Sequence, residues 1–451
     1  MFGAVKVLHV TSGYYPESPG GIESYLEMTM AAQQAAGLDV CLLAGSPELG
    51  LECGVAEDEY QGVRVMRLRR EDWFHDHYAL SYHAGASQLI REVFTHEAPD
   101  VVHVHQWLRL SSDIVGIARS LGIPTVVTLH DVYTSCPRAF RVHRDEQPCF
   151  RSLSIESCRE CVPRFGAEPP AELDEGIVLF REQYRAELQM ADRVLVAMRV
   201  TAELLSDTTS LPLERYELHN LPYQSRFSGV STPESSGDVV RFGYWGSLTS
   251  HKGPHILLEA LRQLVSETSV SVELHLFGPA APEAFAEKLR SSADALPVTF
   301  HGPFDAAALA AVDLDVGVFP VLCFEAFGLG LAECFDLGLP AIVSDIGALA
   351  ERVGDAGLRV PPGDVGALTT AMRELAEDAG RRAALASKLP APPPTPAAHV
   401  EELSRIYEAV QGEERQPSIT IPPERRARFL AMQRESLAAA LRDSGGPRGP
   451  V

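Results

Sequence analysis

Two successive series of short β-branched runs alternating with helical patterns constrain this chain more than any other feature. In the first series, residues 5–10, 40–43, 63–68, 100–105 and 124–130 read as strands whose near-continuous apolar character fits burial on both faces. Between them, Ile22, Tyr25, Leu26 and Met30 recur at helical spacing up to a stop at Gly37, and 81–97 and 111–121 carry the same signal. Residues 194–197 and 217–220 close the series as short strands. Residues 225–238 have the Ser, Gly, Pro and Thr content of a linker. A second series follows, with strands at 240–245, 270–277, 298–300, 316–320 and 341–344 and a helix opened by Gly253-Pro254. Alternation of this kind implies βαβ units and parallel sheets, one per series. The expected division is 1–224, a linker at 225–238, 239–395, and C-terminal helices with a tail at 396–451, the helices lying at 400–410 and 425–441 beyond a proline-rich connection at 390–396.

A length of 451 residues allows two to four domains at roughly 100–200 residues each. Asp+Glu 61 against Lys+Arg 39 gives a net charge of −22, whose field repels nucleic acid and anionic membranes, so an anionic ligand needs a local site. Residues 1–10 lack a basic start followed by a long apolar core, and no run of 18 apolar residues follows; the expectation is a soluble, cytoplasmic protein with no integral membrane association.

The chemistry concentrates in residues 319–351. Glu325 ends a strand-to-helix loop, Gly328 and Gly330 let backbone approach a ligand, and Glu333 falls one to two turns into the next helix. Free N–H groups and the positive end of a helix dipole thus lie beside two carboxylates. The amides suit an anion and the carboxylates suit hydroxyls. A diphosphate flanked by two polyols, a nucleotide sugar, satisfies both.

The spacing Glu325-x7-Glu333 within Phe324-Glu325-Ala326-Phe327-Gly328, followed by Leu337-Gly338-Leu339-Pro340, resembles the donor site of family 4 retaining glycosyltransferases of the GT-B fold. Further pieces fall in the family's order: Gly20-Gly21-Ile22-Glu23 after the first strand, His103 and His105 in one strand, His130-Asp131 after another, Gly243 to Lys252-Gly253 at the start of the second series, and Val360 to Asp364 near its end. The resemblance covers about 5–410. It implies two Rossmann-like doubly wound domains facing a cleft, an N-terminal acceptor domain and a C-terminal donor domain. It also implies roles. Lys252 would neutralise the leaving diphosphate, helped by backbone N–H groups of Gly21, Gly328 and Leu329, with Gly20, Gly246, Ser247 and Phe327 lining the donor. Glu333 would hold the ribose, Glu325 the donor sugar, Phe304 the base, and His130 would approach the sugar from the N-terminal domain. The family often has arginine where this chain has Ser247, so one cation is missing, and a neutral hydroxyl bond is generally about half as strong as a charge-assisted one. Catalysis by analogy needs no cofactor and no metal. His103 and His105 are equally readable as satisfied core histidines.

Residues 131–170 break the alternation and carry Cys136, Cys149, Cys158 and Cys161, a set able to form a structural zinc site or to remain as reduced or partly disulfide-linked thiols. Three functions compete: transfer of a sugar from a UDP- or GDP-linked donor to a soluble small-molecule or oligosaccharide acceptor; 2-epimerisation of a sugar nucleotide; and catalytically silent nucleotide-sugar binding. Acceptor recognition is expected around 73–83 and the cysteine insert.

Overall fold

The computed structural model describes residues 5–72, 82–164, 166–227, 237, 239–415 and 417–444. The chain forms two compact units: Met1–Ala139, Phe150–Pro222 and Pro394–Val451 make the first, Phe140–Cys149 and Tyr223–Pro393 the second. The expected linker 225–238 belongs by sequence to the second unit, and its residues 228–236 and 238 lie outside the described residues. Among the described residues, no helix is long and apolar enough to cross a membrane.

The first unit holds an eight-stranded sheet of β1 (Lys6–Thr11), β2 (Asp39–Gly45), β3 (Gly54–Tyr60), β4 (Val63–Arg69), β5 (Val101–Val104), β6 (Thr125–Leu129), β7 (Arg193–Val196) and β8 (Glu217–Leu218), in the order β3-β4-β2-β1-β5-β6-β7-β8. Every pairing is parallel except β3 with β4. Residues of β5 and β6 are buried throughout, as expected of strands covered on both faces. Sequence patterning misses β3, because Glu57, Asp58 and Glu59 give it no apolar face; it survives as an antiparallel edge joined to β4 through Gln61 and Gly62, both at positive φ.

The second unit holds a six-stranded, wholly parallel sheet of β9 (Val240–Trp245), β10 (Val272–Phe277), β11 (Val298–Gly302), β12 (Val316–Phe319), β13 (Ala341–Ser344) and β14 (Gly357–Val360), in the order β11-β10-β9-β12-β13-β14. β14 is the second edge strand that patterning misses. Asp364 beyond it caps the Val365–Glu377 helix, its Oδ1 accepting from the Ala367 amide at 2.9 Å. Successive strands wind outward in both directions from β9, so the topological switch point lies between β9 and β12. In open α/β sheets the carboxyl ends of such strands bound the ligand crevice.

Candidate active site

The two loops that leave the switch point carry the residues that sequence spacing singled out. The loop after β9 runs through Gly246 and Ser247 to a short turn, Ser250–Lys252; the loop after β12 runs through Glu325 to the Leu329–Asp336 helix. Lys252 and Glu325, 73 residues apart, meet there, with the Lys252 ammonium donating to Glu325 Oε1. Burial by itself lowers an ammonium, yet the Glu325 carboxylate holds Lys252 well above its ordinary range, so it is a fixed cation.

Close backbone approaches fix both loops. A Cβ on Gly253, at φ 74°, would stand 2.0 Å from the Pro320 carbonyl oxygen, and one on Gly278, at φ 133°, 1.9 Å from that of Gly246. Gly253→Ala is therefore expected to cost about 3 kcal/mol, from a left-handed backbone and an overlap that backbone must absorb. Gly21→Ala, where a Cβ meets nothing within 4 Å, should be neutral; denaturant midpoints of the two variants check the contrast. His251 stacks on Phe140 with centroids 4.2 Å apart and planes at 11°, and burial lowers its imidazole to about 4. Phe140 O accepts from the Phe324 amide at 3.4 Å, so the Phe140–Cys149 segment braces both the Lys252 and the Glu325 loops.

From the other side, the Gly347–Val353 helix holds the Glu325 loop. The Ala348 amide donates to Glu325 O at 2.8 Å. The Arg352 guanidinium donates to the carbonyls of Phe327 and Gly328 and lies 3.9 Å from the Phe327 ring centroid, and burial lowers it to about 10. Arg352 was missed by sequence reading, since nothing in its local pattern distinguishes it from a surface helix arginine. Gly328, at φ 74°, caps the Leu329–Asp336 helix, leaving the first-turn amides of Leu329 and Gly330 without intrahelical partners. Glu333 in that helix is 3% exposed; burial raises it to about 7 against the pull of Arg226, whose Nη2 stands 2.6 Å from Glu333 Oε1. Arg226 also lies over the Phe304 ring, 5.4 Å from its centroid. Phe304 and Glu333, assigned by resemblance to base and ribose, are thus bridged by an arginine that the sequence did not mark. Ser247 is exposed, and its carbonyl accepts from the Tyr244 hydroxyl at 2.8 Å.

In the first unit, Gly20 caps the Gly21–Ala35 helix, and a Cβ on it would stand 2.5 Å from Glu23 Oε2. The carboxyl group at this helix start is the protein's own: Glu23 is buried, which raises it to about 7, while its own amide, Arg109 and Ser18 pull it down. His130 follows β6, half-buried, with Nε2 2.9 Å from His105 Nδ1 and its ring 4.5 Å from that of Tyr25. Burial lowers His130 to about 3, so it is neutral.

All eight cysteines are thiols with no disulfide. Among the described residues, the groups whose ligand atoms converge within 4.8 Å are His9, His103 and His105, and Cys53, Glu71 and His83; Cys136, Cys149, Cys158 and Cys161 are not such a group, and Cys149 belongs to the second unit while the other three belong to the first. Residues 73–81, most of the segment expected to contact an acceptor, lie outside the described residues.

Residues 20–221 match the family model described as "Glycosyl transferase 4-like domain", and 240–378 match "Glycosyl transferases group 1". Glycogen synthase from Mycobacterium tuberculosis is 24% identical over 93% of this chain and 98% of its own length. D-inositol 3-phosphate glycosyltransferase from Rhodococcus opacus is 27% identical over 68% of this chain and 66% of its own length. Among solved structures, sucrose-phosphate synthase from Thermosynechococcus elongatus matches with a TM-score of 0.59 at 18% identity, over 96% of this chain and all of that one. Anabaena HepE in complex with UDP and glucose matches with a TM-score of 0.60 at 14% identity, over 90% of this chain and all of that one. The fold is that of the GT-B glycosyltransferases.

Proposed function

The chain belongs to glycosyltransferase family 4, and from that premise we propose that it transfers a hexosyl group, with retention of anomeric configuration, from a UDP- or GDP-linked sugar to a hydroxyl of a soluble small-molecule or oligosaccharide acceptor. The observation that carries this reading is the Lys252–Glu325 ion pair at the switch point of the second unit, beside the open amides of the Leu329–Asp336 helix. UDP bound in the HepE neighbour supports a nucleoside-diphosphate donor.

In this reading the entering diphosphate replaces Glu325 as the counter-ion of Lys252, and the released carboxylate accepts from donor-sugar hydroxyls. Glu333 exchanges Arg226 for the ribose hydroxyls, and His130 contacts the sugar. The anomeric carbon–oxygen bond breaks with its electron pair going to the diphosphate. The acceptor oxygen bonds to the same face of that carbon, and its proton passes to a departing phosphoryl oxygen. Charge grows on the diphosphate, where a fixed ammonium and preorganised amides act most strongly. Incubation with UDP- and GDP-hexoses and a panel of sugar and polyol acceptors should release free nucleoside diphosphate and give a product with the donor's anomeric configuration by NMR. Inversion, or no release with any donor, would sink the proposal.

A further inference from the structure

Three histidines of the first unit, His9, His103 and His105, have ring nitrogens close enough together to share a metal ion. None has a nitrogen to spare. His9 Nε2 is 2.8 Å from Gln33 Oε1 and His9 Nδ1 2.9 Å from His105 Nε2. His105 Nδ1 is 2.9 Å from His130 Nε2. His103 Nδ1 is 2.7 Å from the Tyr407 hydroxyl and its Nε2 2.7 Å from Thr128 Oγ1. The other cluster, Cys53, Glu71 and His83, fails for a related reason: His83 Nδ1 accepts from the Ala86 amide, so its proton sits on Nε2, the nitrogen facing Glu71.

A hydrogen bond between two neutral imidazoles needs one N–H and one lone pair, so the tautomer at one end dictates all the others. The end here is Gln33. Its Nε2 donates to the Tyr407 hydroxyl at 3.2 Å, which directs its carbonyl oxygen at His9. His9 must then carry its proton on Nε2 and accept at Nδ1 from His105 Nε2–H; His105 in turn accepts at Nδ1 from His130 Nε2–H. We propose that the hydrogen-bonded chain Gln33–His9–His105–His130 is a tautomer lock that holds His130 with its proton on Nε2 and an unprotonated Nδ1, and that Gln33 and Tyr407 act as positioning residues through it. His130 Nδ1 has no hydrogen-bond partner among the described residues, and it is not one of the fully buried polar atoms left without a partner, so it is open to a ligand. The lock makes it an acceptor, matched to a ligand O–H group and mismatched to an ether or carbonyl oxygen. The chain ends on an amide, which cannot hand a proton onward, so it orients His130 and does not conduct. Burial keeps His9, His103, His105 and His130 neutral, as the lock requires.

The identification of the ligand O–H as a donor-sugar hydroxyl rests on the function proposed above; the lock does not. Long-range 1H–15N correlation spectra of the full chain labelled with 15N-histidine read it directly, His130 being assigned by the signals lost in His130→Asn. His9, His105 and His130 should each show the single Nε2–H form between pH 6 and 8. Gln33→Leu should raise the Nδ1–H form of His130 severalfold, Gln33→Glu, which keeps an oxygen facing His9, should retain the wild-type form, and Tyr407→Phe, which frees the amide to turn, serves if Gln33→Leu does not fold. A wild-type His130 protonated at Nδ1, or a tautomer indifferent to both Gln33→Leu and Tyr407→Phe, overturns the lock. If the tautomer follows Gln33 while no nucleotide sugar is ever turned over, the lock stands and the glycosyl-transfer reading falls.

Discussion

Lys252→Ala is expected to reduce turnover by about 10²–10³-fold, the scale of removing one preorganised charge-stabilising donor from a transition state. Glu325→Gln should fall in the same range, because it removes both the carboxylate proposed to hold the donor sugar and the partner that keeps Lys252 in place. The double variant should cost far less than the product of the two single losses, since residues in one ion pair do not act independently. Nucleoside diphosphate release measured with saturating acceptor reads these effects, and unchanged circular dichroism and denaturant midpoints show that the fold survives. Turnover within tenfold of wild type in Lys252→Ala would remove that residue from the reaction.

The second large effect concerns acid. Five histidines of the first unit are held neutral chiefly by burial: His9 lowered to about 4, His130 and His399 to about 3, and His103 and His105 well below the ordinary value. Each binds a proton in the unfolded chain below about pH 6.5 and stays neutral in the fold, so it removes stability as pH falls. Three carboxyls raised by desolvation act the other way. Asp131, Glu23 and Glu187 are raised to about 6, 7 and 8, and they take up protons in the fold before the unfolded chain does. In the second unit His251, lowered to about 4, offsets Glu333, raised to about 7, so two of these strongly shifted histidines remain uncompensated as pH falls from 6.5 to 5, a slope that grows to about 3 kcal/mol per pH unit and a loss of about 3–4 kcal/mol over that interval. Against a typical stability of about 5–15 kcal/mol this is severe, and it corresponds to a Tm lower by roughly 10 °C. Below about pH 4.5 the unfolded carboxyls protonate as well, their counter-effect ends, and the loss steepens. Calorimetry at pH 7, 6 and 5 should show the fall, whereas a flat or rising Tm would mean that the histidines are charged in the fold.

Much of this candidate site was legible in the sequence because its loops are set by local geometry. Glu325, Gly328 and Glu333 declare themselves by their spacing around one strand-to-helix turn, and Lys252-Gly253-Pro254 by a turn that only glycine tolerates. What the sequence withheld are pairings between distant segments. That Lys252 and Glu325 neutralise each other, that Arg226 bridges Glu333 and Phe304, and that Arg352 seals the carbonyls of Phe327 and Gly328 all depend on which strands become neighbours. Glu23 was visible as part of a glycine loop, but its carboxylate turning back over the helix start was not. The two missed strands, β3 and β14, are both edges, where partial solvation removes the apolar signature by which interior strands are recognised.

The Phe140–Cys149 segment is synthesised within the first unit's portion of the chain yet belongs to the second, and the first unit in turn includes Pro394–Val451. Vectorial folding, in which an N-terminal domain is completed while the remainder is still being made, is therefore closed to this protein. As the chain emerges, the ribosome presents a sheet that lacks the helix bearing Tyr407 and a bracing strip, Phe140 included, that lacks the loops it will brace. The second unit is complete only when Pro393 has left the ribosome, and the first, which includes Pro394–Val451, later still. Excising the second unit at a boundary drawn after residue 222 would leave His251 without its stacking partner.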